Sequence, residues 1–137
     1  MRQAVCLIIV LVVVLVGCTA EPEDLTENNE DTIFYTEEKL KEVVALAAQA
    51  FKYKDEYILL VQQDSDESDK FVKELSKCTK IATGLLNEGH DELADVFDRL
   101  GLAGKNFDLW KDTGKAKFYM QAVVYYNNAE QLFNNLK

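Results

Sequence analysis

The chain has 137 residues, of which 24 are Asp or Glu and 15 are Lys or Arg, giving a formal net charge of −9. We expect no nucleic-acid partner, because binding to phosphate requires a net basic surface. A single histidine excludes a multi-histidine metal site, and we predict neither a metal nor a cofactor.

The N-terminus has the three parts of a secretory signal. Arg2 precedes an apolar run over residues 4–16, and the small residues of segment 17–20 follow it. Cleavage before Glu21 would place Cys18 and Ala20 at the −3 and −1 positions. We therefore predict a signal peptide over residues 1–20 and a secreted, extracellular protein. A retained membrane anchor is the alternative, but the run is shorter than the roughly 20 apolar residues of a spanning helix.

The end of this segment permits a second type of processing. Leu15-Val16-Gly17-Cys18 resembles the lipobox of bacterial lipoprotein precursors. That resemblance implies a diacylated Cys18 and a protein anchored by lipid in a bacterial envelope. Residues 1–20 contain a single basic residue, Arg2, which favours simple secretion over lipidation.

Residues 21–35 are acidic, contain the only proline and are predicted to form a flexible leader. The remaining segment, residues 36–137, is predicted to be one helical domain. Thr36 is a good N-cap for a first helix that ends near Gln63. A polar connector follows, and Ser68 is the predicted cap of a second helix.

Asn87-Glu88-Gly89 is the predicted end of the second helix. A third helix begins near His90, and Gly101 and Gly104 make a kink or break within it credible, because each costs about 1 kcal/mol relative to Ala. A turn at residues 112–114 precedes the fourth helix. The apolar residues recur at steps of three and four in all four segments, and the connectors are short. We predict an all-α domain, an up-down four-helix bundle.

Cys78 is the one cysteine expected outside the signal, because Cys6 lies within it and Cys18 is either removed or lipidated. It is in register with the apolar residues of the second helix, which predicts a small core residue. A free reactive thiol or an intermolecular disulfide is the alternative.

A basic stripe on the second helix is the first candidate site, formed by Lys70, Lys73, Lys77 and Lys80. Such a stripe is typical of a surface that binds anionic lipids or a polyanion. It is also typical of a solvated helix face, with Glu74 spaced to pair with Lys70 and Lys77.

Aromatic residues crowd the third and fourth helices and form the second candidate site. They can line an apolar pocket or fill an ordinary core. Adjacent tyrosines cannot both face inward, which predicts an exposed tyrosine patch for a partner. The residues selected for ligand or partner binding are Phe107, Trp110, Phe118, Tyr119, Tyr125 and Tyr126.

Two family resemblances follow from these helices. Ala122, Tyr126 and Ala129 have the small–aromatic–small spacing of a tetratricopeptide repeat helix. The stretch from Phe51 to Phe133 resembles the helical BAR region of sorting nexins in helix order, notably over residues 92–100 and 118–130. The second resemblance implies dimerisation and binding to curved membranes.

No pattern pairs groups for catalysis, and we do not expect an enzyme. The sequence favours an exported binding or interaction protein with a protein partner or a small apolar ligand. The alternative is a membrane-associated lipoprotein or a BAR-like helical module on anionic membranes. The oligomeric state is left open.

Overall fold

The computed structural model describes residues 35–136. The predicted signal peptide, Cys18 and nearly all of the predicted leader lie outside these residues. The described part contains six helices and no strand: α1 (Glu37–Lys52), α2 (Lys54–Val61), α3 (Asp66–Ser76), α4 (Cys78–Asn87), α5 (Asp91–Thr113) and α6 (Ala116–Asn135).

We group these helices into four rods. The first rod is α1 and α2, which are joined at Tyr53, and the second is α3 and α4, which are joined at Lys77. The third rod is α5 and the fourth is α6. Contacts along the rods give their directions. Trp110 contacts Tyr119 near the start of α6, and Phe51 of α1 contacts Phe133 near its end. These pairs of rods are antiparallel. The other neighbours are antiparallel too, since Tyr35 meets Glu88 and Val61 meets Ser68 across the first and second rods, while Gly101 lies against Thr79 and Gly104 against Ser76 across the second and third. The fold is the predicted all-α, up-down four-helix bundle.

Helix α5 is the central packing element, since it contacts α6, α4 and α3 more extensively than any other pair of helices touch. The helix is continuous through Gly101 and Gly104, so the break considered there is absent. A Cβ atom at Gly104 would lie 2.4 Å from the backbone nitrogen of Ser76. One at Gly101 would lie 2.3 Å from Cγ2 of Thr79. The glycines therefore allow α5 to approach the junction of α3 and α4.

The interruptions fall instead at Tyr53 and Lys77, where the sequence has neither glycine nor proline. At Lys77 the backbone N–H is shared between the carbonyl oxygens of Lys73 and Glu74, at 3.2 and 3.1 Å. The hydroxyl groups of Ser76 and Thr79 donate to preceding carbonyl oxygens of the same rod, at 2.9 and 3.1 Å. Such side-chain bonds compete with the helical ladder and bend helices.

The helix caps agree with the sequence at one position and differ at another. Thr36 caps α1, and its hydroxyl oxygen accepts from the backbone N–H of Lys39 at 3.3 Å. The second rod is capped by Ser65, not by Ser68 as predicted. Ser68 lies inside α3 and is fully buried, and its hydroxyl donates to the carbonyl oxygen of Val61 at 3.3 Å. The helix therefore begins one turn earlier than expected.

Tyr35, assigned to the flexible leader from sequence, belongs to the bundle. Its side chain is buried, and its backbone N–H donates to the carboxylate of Glu88 at 2.8 Å. Its hydroxyl reaches the carbonyl oxygen of Ile81 at 3.4 Å, which ties the start of α1 to the second rod.

Candidate functional site

The six predicted aromatic residues divide between the core and the surface. Phe107 and Tyr126 are fully buried, and the hydroxyl of Tyr126 donates to the carbonyl oxygen of Ala50 at 2.9 Å. These two residues cannot touch a ligand at the surface, because the core covers them. The surface portion of the predicted site is therefore smaller than the sequence indicated.

The other four aromatic residues, Trp110, Phe118, Tyr119 and Tyr125, are half-buried on α5 and α6. Tyr119 connects two of the predicted residues, because its ring lies 5.1 Å from that of Trp110 and 5.8 Å from that of Phe107. Tyr125 is half-buried while its neighbour Tyr126 is buried, as expected for adjacent residues on a helix.

An open groove of about 390 Å³ lies beside Trp110, at the end of the bundle where α2 ends and α5 passes into the turn before α6. We call it the end groove, and it is lined by Val61, Gln62, Gln63, Asp64, Trp110, Lys111 and Gly114. Its volume is within the range of about 300–1,000 Å³ that is usual for ligand sites. It combines an apolar part with amide and carboxylate groups at one rim.

The walls of the end groove are held by contacts between rods. The side-chain amide of Gln62 donates to the hydroxyl of Tyr119 at 2.8 Å, which joins α6 to the end of α2. Lys111 donates to the hydroxyl oxygen of Ser68 at 2.7 Å and forms an ion pair with Asp69 at 2.8 Å. The hydrogen bond from Lys111 lowers the pKa of the Asp69 carboxyl.

Gly114 is one of the residues that line the end groove. It ends α5 with a φ of 65°, a left-handed conformation that glycine adopts without strain. Apart from Gly114 and its two chain neighbours, no atom lies within 4 Å of the position that a Cβ atom would occupy, so that position is open space. The site thus has walls joined by contacts between rods and an uncovered backbone segment.

Sequence reasoning identified Trp110 of the groove and missed the residues from the other rod. Gln62, Gln63 and Asp64 were assigned to a helix end and a polar connector. Their position opposite Trp110 depends on the pairing of the first and third rods, which periodicity does not specify. The turn at Gly114 was recognised, but not its proximity to this connector.

A small cavity of about 20 Å³ lies in the bundle interior, among α1, α3, α4 and α5. It is lined mainly by apolar residues and by Glu74 and Cys78. One oxygen of Glu74 accepts from Lys77 at 2.5 Å, and the other is buried without a hydrogen-bond partner. Because this volume fits about one water molecule, it is not a site for an organic ligand.

Cys78 is a core residue, as predicted, and its side chain is buried and free. Burial, and then the nearby charge of Glu74, raise the pKa of its thiol to about 12. A reactive cysteine needs a thiolate and access to solvent, and this one has neither.

The predicted basic stripe is incomplete as a charged surface. Lys70, Lys73 and Lys80 are exposed, whereas Lys77 is half-buried and paired with Glu74. Asp66, Glu67 and Asp69 occupy the first turn of the same rod, and with Glu74 they balance its four lysines, so the rod has no net formal charge.

Residues 35–136 contain neither a metal site nor a membrane-spanning helix. No group of three His, Cys, Asp or Glu side chains is placed to hold a metal ion, and no helix is long and apolar enough to cross a bilayer. None of the protein-family models, characterised proteins or solved structures compared with this chain matches it.

Proposed function

We propose that the protein is an exported binding module, and that the end groove is its binding site. The observation that carries the proposal is the position of Trp110 beside an open groove of about 390 Å³, with amide groups at the rim. Sites of this composition hold an apolar group and orient it through a few hydrogen bonds. The group would belong to a small ligand or to a side chain of a protein partner.

The chemistry of the rim narrows the class of ligand. The cationic end of Lys111 already contacts Ser68, Asp69 and the carbonyl oxygen of Gln63. An anionic ligand, which would require a free ammonium group from the protein, is therefore a poor match for the groove. Gln63 and Asp64 are exposed at the rim and supply neutral and anionic hydrogen-bonding groups. An uncharged apolar ligand with a hydroxyl or amide substituent fits this arrangement.

The test uses benzyl alcohol and cyclohexanol as probes, because each joins an apolar ring to one hydroxyl. Binding to the mature protein, purified after its export and processing by the cell, is followed by ligand-observed NMR. We expect both probes to bind weakly, and Trp110→Ala to reduce the affinity at least about tenfold. Leu59→Ala removes an exposed apolar side chain that does not line the groove and should leave binding unchanged. Equal binding by wild type and Trp110→Ala would refute the proposal.

The membrane-associated alternative rests on the exposed lysines Lys70, Lys73 and Lys80 of the second rod. Three like charges along one rod would attract an anionic bilayer at low ionic strength. Sedimentation with vesicles of anionic and of neutral phospholipid distinguishes the two functions. Binding to anionic vesicles that is lost in Lys70→Glu/Lys73→Glu would favour the membrane function, and no binding at low salt would exclude this surface as its basis.

A further inference from the structure

The polar rim of the end groove has more hydrogen-bonding groups than a ligand with one hydroxyl can use. Gln62, Gln63 and Asp64 follow one another at the end of α2, are exposed and line the groove. Within residues 35–136, no hydrogen bond or ion pair involves the side chain of Gln63 or Asp64. The side-chain amide of Gln62 donates to Tyr119 and retains its carbonyl oxygen as an acceptor. A ligand in the groove therefore meets several polar groups at once.

These groups favour a ligand with several hydroxyl groups. Water hydrates them in the free protein, and a bound ligand that displaces this water must supply hydrogen bonds in its place. The Asp64 carboxylate only accepts hydrogen bonds, whereas the Gln63 amide both donates and accepts. A hydroxyl group also does both, so a ligand with several hydroxyls can pair with the whole rim. A ligand with one hydroxyl leaves part of the rim without a partner.

Trp110 favours an apolar ring face within the same ligand. Its side chain is half-buried and lines the groove, and the ring of Tyr119 is tilted by 59° to it, so the two rings are not stacked. The face of an indole ring is negative and attracts the slightly positive C–H groups of a ring that lies on it. A pyranose sugar presents such C–H groups on its face and hydroxyl groups along its edge. This combination matches an aromatic wall beside a polar rim.

The charges of the groove select a neutral sugar. The ammonium group of Lys111 has three donors, and its contacts with Ser68, Asp69 and the carbonyl oxygen of Gln63 account for all of them. Asp64 is the other charged residue that lines the groove. Its carboxylate would repel the carboxylate or phosphate group of an acidic sugar, and no free ammonium group among the lining residues would offset this repulsion.

We propose that the end groove binds a neutral pyranose sugar, with the ring against Trp110 and the hydroxyl groups bonded to Gln63 and Asp64. This inference rests on the proposed function, because it concerns the same groove, and it narrows the ligand class to a polyhydroxylated ring. A volume of about 390 Å³ accommodates one such ring. Because the rim is open to water, we expect a dissociation constant of about 1 mM or weaker.

The test compares neutral sugars with cyclohexanol, a six-membered ring that carries one hydroxyl group. The sugars are methyl β-D-glucopyranoside, methyl β-D-galactopyranoside and methyl α-D-mannopyranoside. Each compound is titrated into the mature protein, and binding is followed by ligand-observed NMR and by the fluorescence of Trp110, the only tryptophan of the chain. We expect at least one sugar to bind at least about threefold more tightly than cyclohexanol. The corresponding methyl uronate, which carries a carboxylate, should bind more weakly than the neutral sugar.

Two variants separate the polar contact from the apolar one. Asp64→Ala should weaken binding of the sugar at least about threefold and have a smaller effect on cyclohexanol, whose single hydroxyl can bond elsewhere on the rim. Trp110→Ala should weaken binding of both compounds. Asp95→Ala is the matched control and should change neither, because it removes an exposed carboxylate of α5 about 22 Å along the helix from Trp110. Circular dichroism of each variant verifies that the fold is retained.

The outcomes distinguish the sugar inference from the proposed function. If cyclohexanol binds at the groove and none of the three sugars binds up to about 100 mM, the sugar inference is overturned and the proposed function stands. If neither cyclohexanol nor any sugar binds, both are overturned. Sugar binding that is unchanged in both Asp64→Ala and Trp110→Ala would place the sugar elsewhere on the protein and would also overturn the inference.

Discussion

Replacement of Gly104 by alanine is the most sensitive test of how the rods pack. The new Cβ atom would lie 2.4 Å from the nitrogen of Ser76 and 2.7 Å from the carbonyl carbon of Leu75, whereas ordinary contacts begin at 3.4 Å. Both neighbours are backbone atoms and cannot rotate away. The two rods must therefore separate by about 1 Å where they cross, which disturbs the core on both sides of α5.

Two effects of Gly104→Ala oppose each other. Alanine stabilises a helix by about 1 kcal/mol relative to glycine, and overpacking costs about 1–3 kcal/mol and sometimes more. Here the clash dominates, because backbone atoms receive it, and we expect a net loss of about 1–2 kcal/mol. For a domain of this size the loss lowers the melting temperature by roughly 5–15 °C.

Thermal unfolding followed by circular dichroism at 222 nm measures this change. Gly84→Ala is the matched control, because its Cβ atom would meet the ring of Tyr35, a side chain that can move. The control should lose less than half as much stability as Gly104→Ala. A melting temperature of Gly104→Ala at or above that of the wild type would refute the reasoning.

Three other predictions concern buried groups and the N-terminus. Tyr126→Phe should cost about 1 kcal/mol in urea unfolding, because it removes a buried hydrogen bond, whereas Tyr57→Phe should be neutral or stabilising, because its buried hydroxyl has no partner. Equal losses of unfolding free energy in the two variants would contradict these hydrogen-bond assignments. Burial raises the pKa of Tyr57 and of Cys78 to about 12, from 10.0 and 9.0, so stability should be complete below pH 9 and fall as the pH rises toward 12. In Cys78→Ala the fall in stability should begin nearer pH 10. An onset at the same pH as in the wild type would contradict the role of the Cys78 thiol. The intact mass of the exported protein should correspond to a start at Glu21, and a diacylated start at Cys18 would show lipidation instead.

The fold was predictable because the spacing of apolar residues along each rod indicates which of its faces is buried. Val43, Ala47 and Ala50 of α1 are buried at the expected steps, and so are Ala122, Tyr126 and Ala129 of α6. The short connectors then left antiparallel neighbours as the simplest arrangement. Thr36 was recognised as a cap from its residue type and the acidic residues after it.

The parts that failed depend on contacts between rods. Ser68 has the residue type of a cap, but the partners of its hydroxyl group, Val61 and Lys111, belong to other elements. Gly104 suggested a weakened helix, yet its role is to admit the backbone of Ser76. A single sequence gives the type of each residue and the spacing of apolar residues along a helix. Neither identifies which rod packs against a given residue.

The candidate site shows the same division. Trp110 and Tyr119 were selected for being aromatic, and both lie at or beside the end groove. Phe107 and Tyr126 were selected for the same reason and lie in the core. Composition alone does not separate these pairs, because both have the spacing of a buried face and only the pairing of rods determines which are covered.

The proposed binding role of the end groove is tested most directly by an amide NMR spectrum of the mature protein during titration with benzyl alcohol. Trp110 is the only tryptophan of the chain, so its indole N–H gives one assignable signal. We predict that this signal and the backbone amides of Gln63 and Gly114 shift together and saturate, while the amide of Leu59 stays in place. Shifts confined to other surfaces, or none at all, would contradict the proposal that this groove is the binding site.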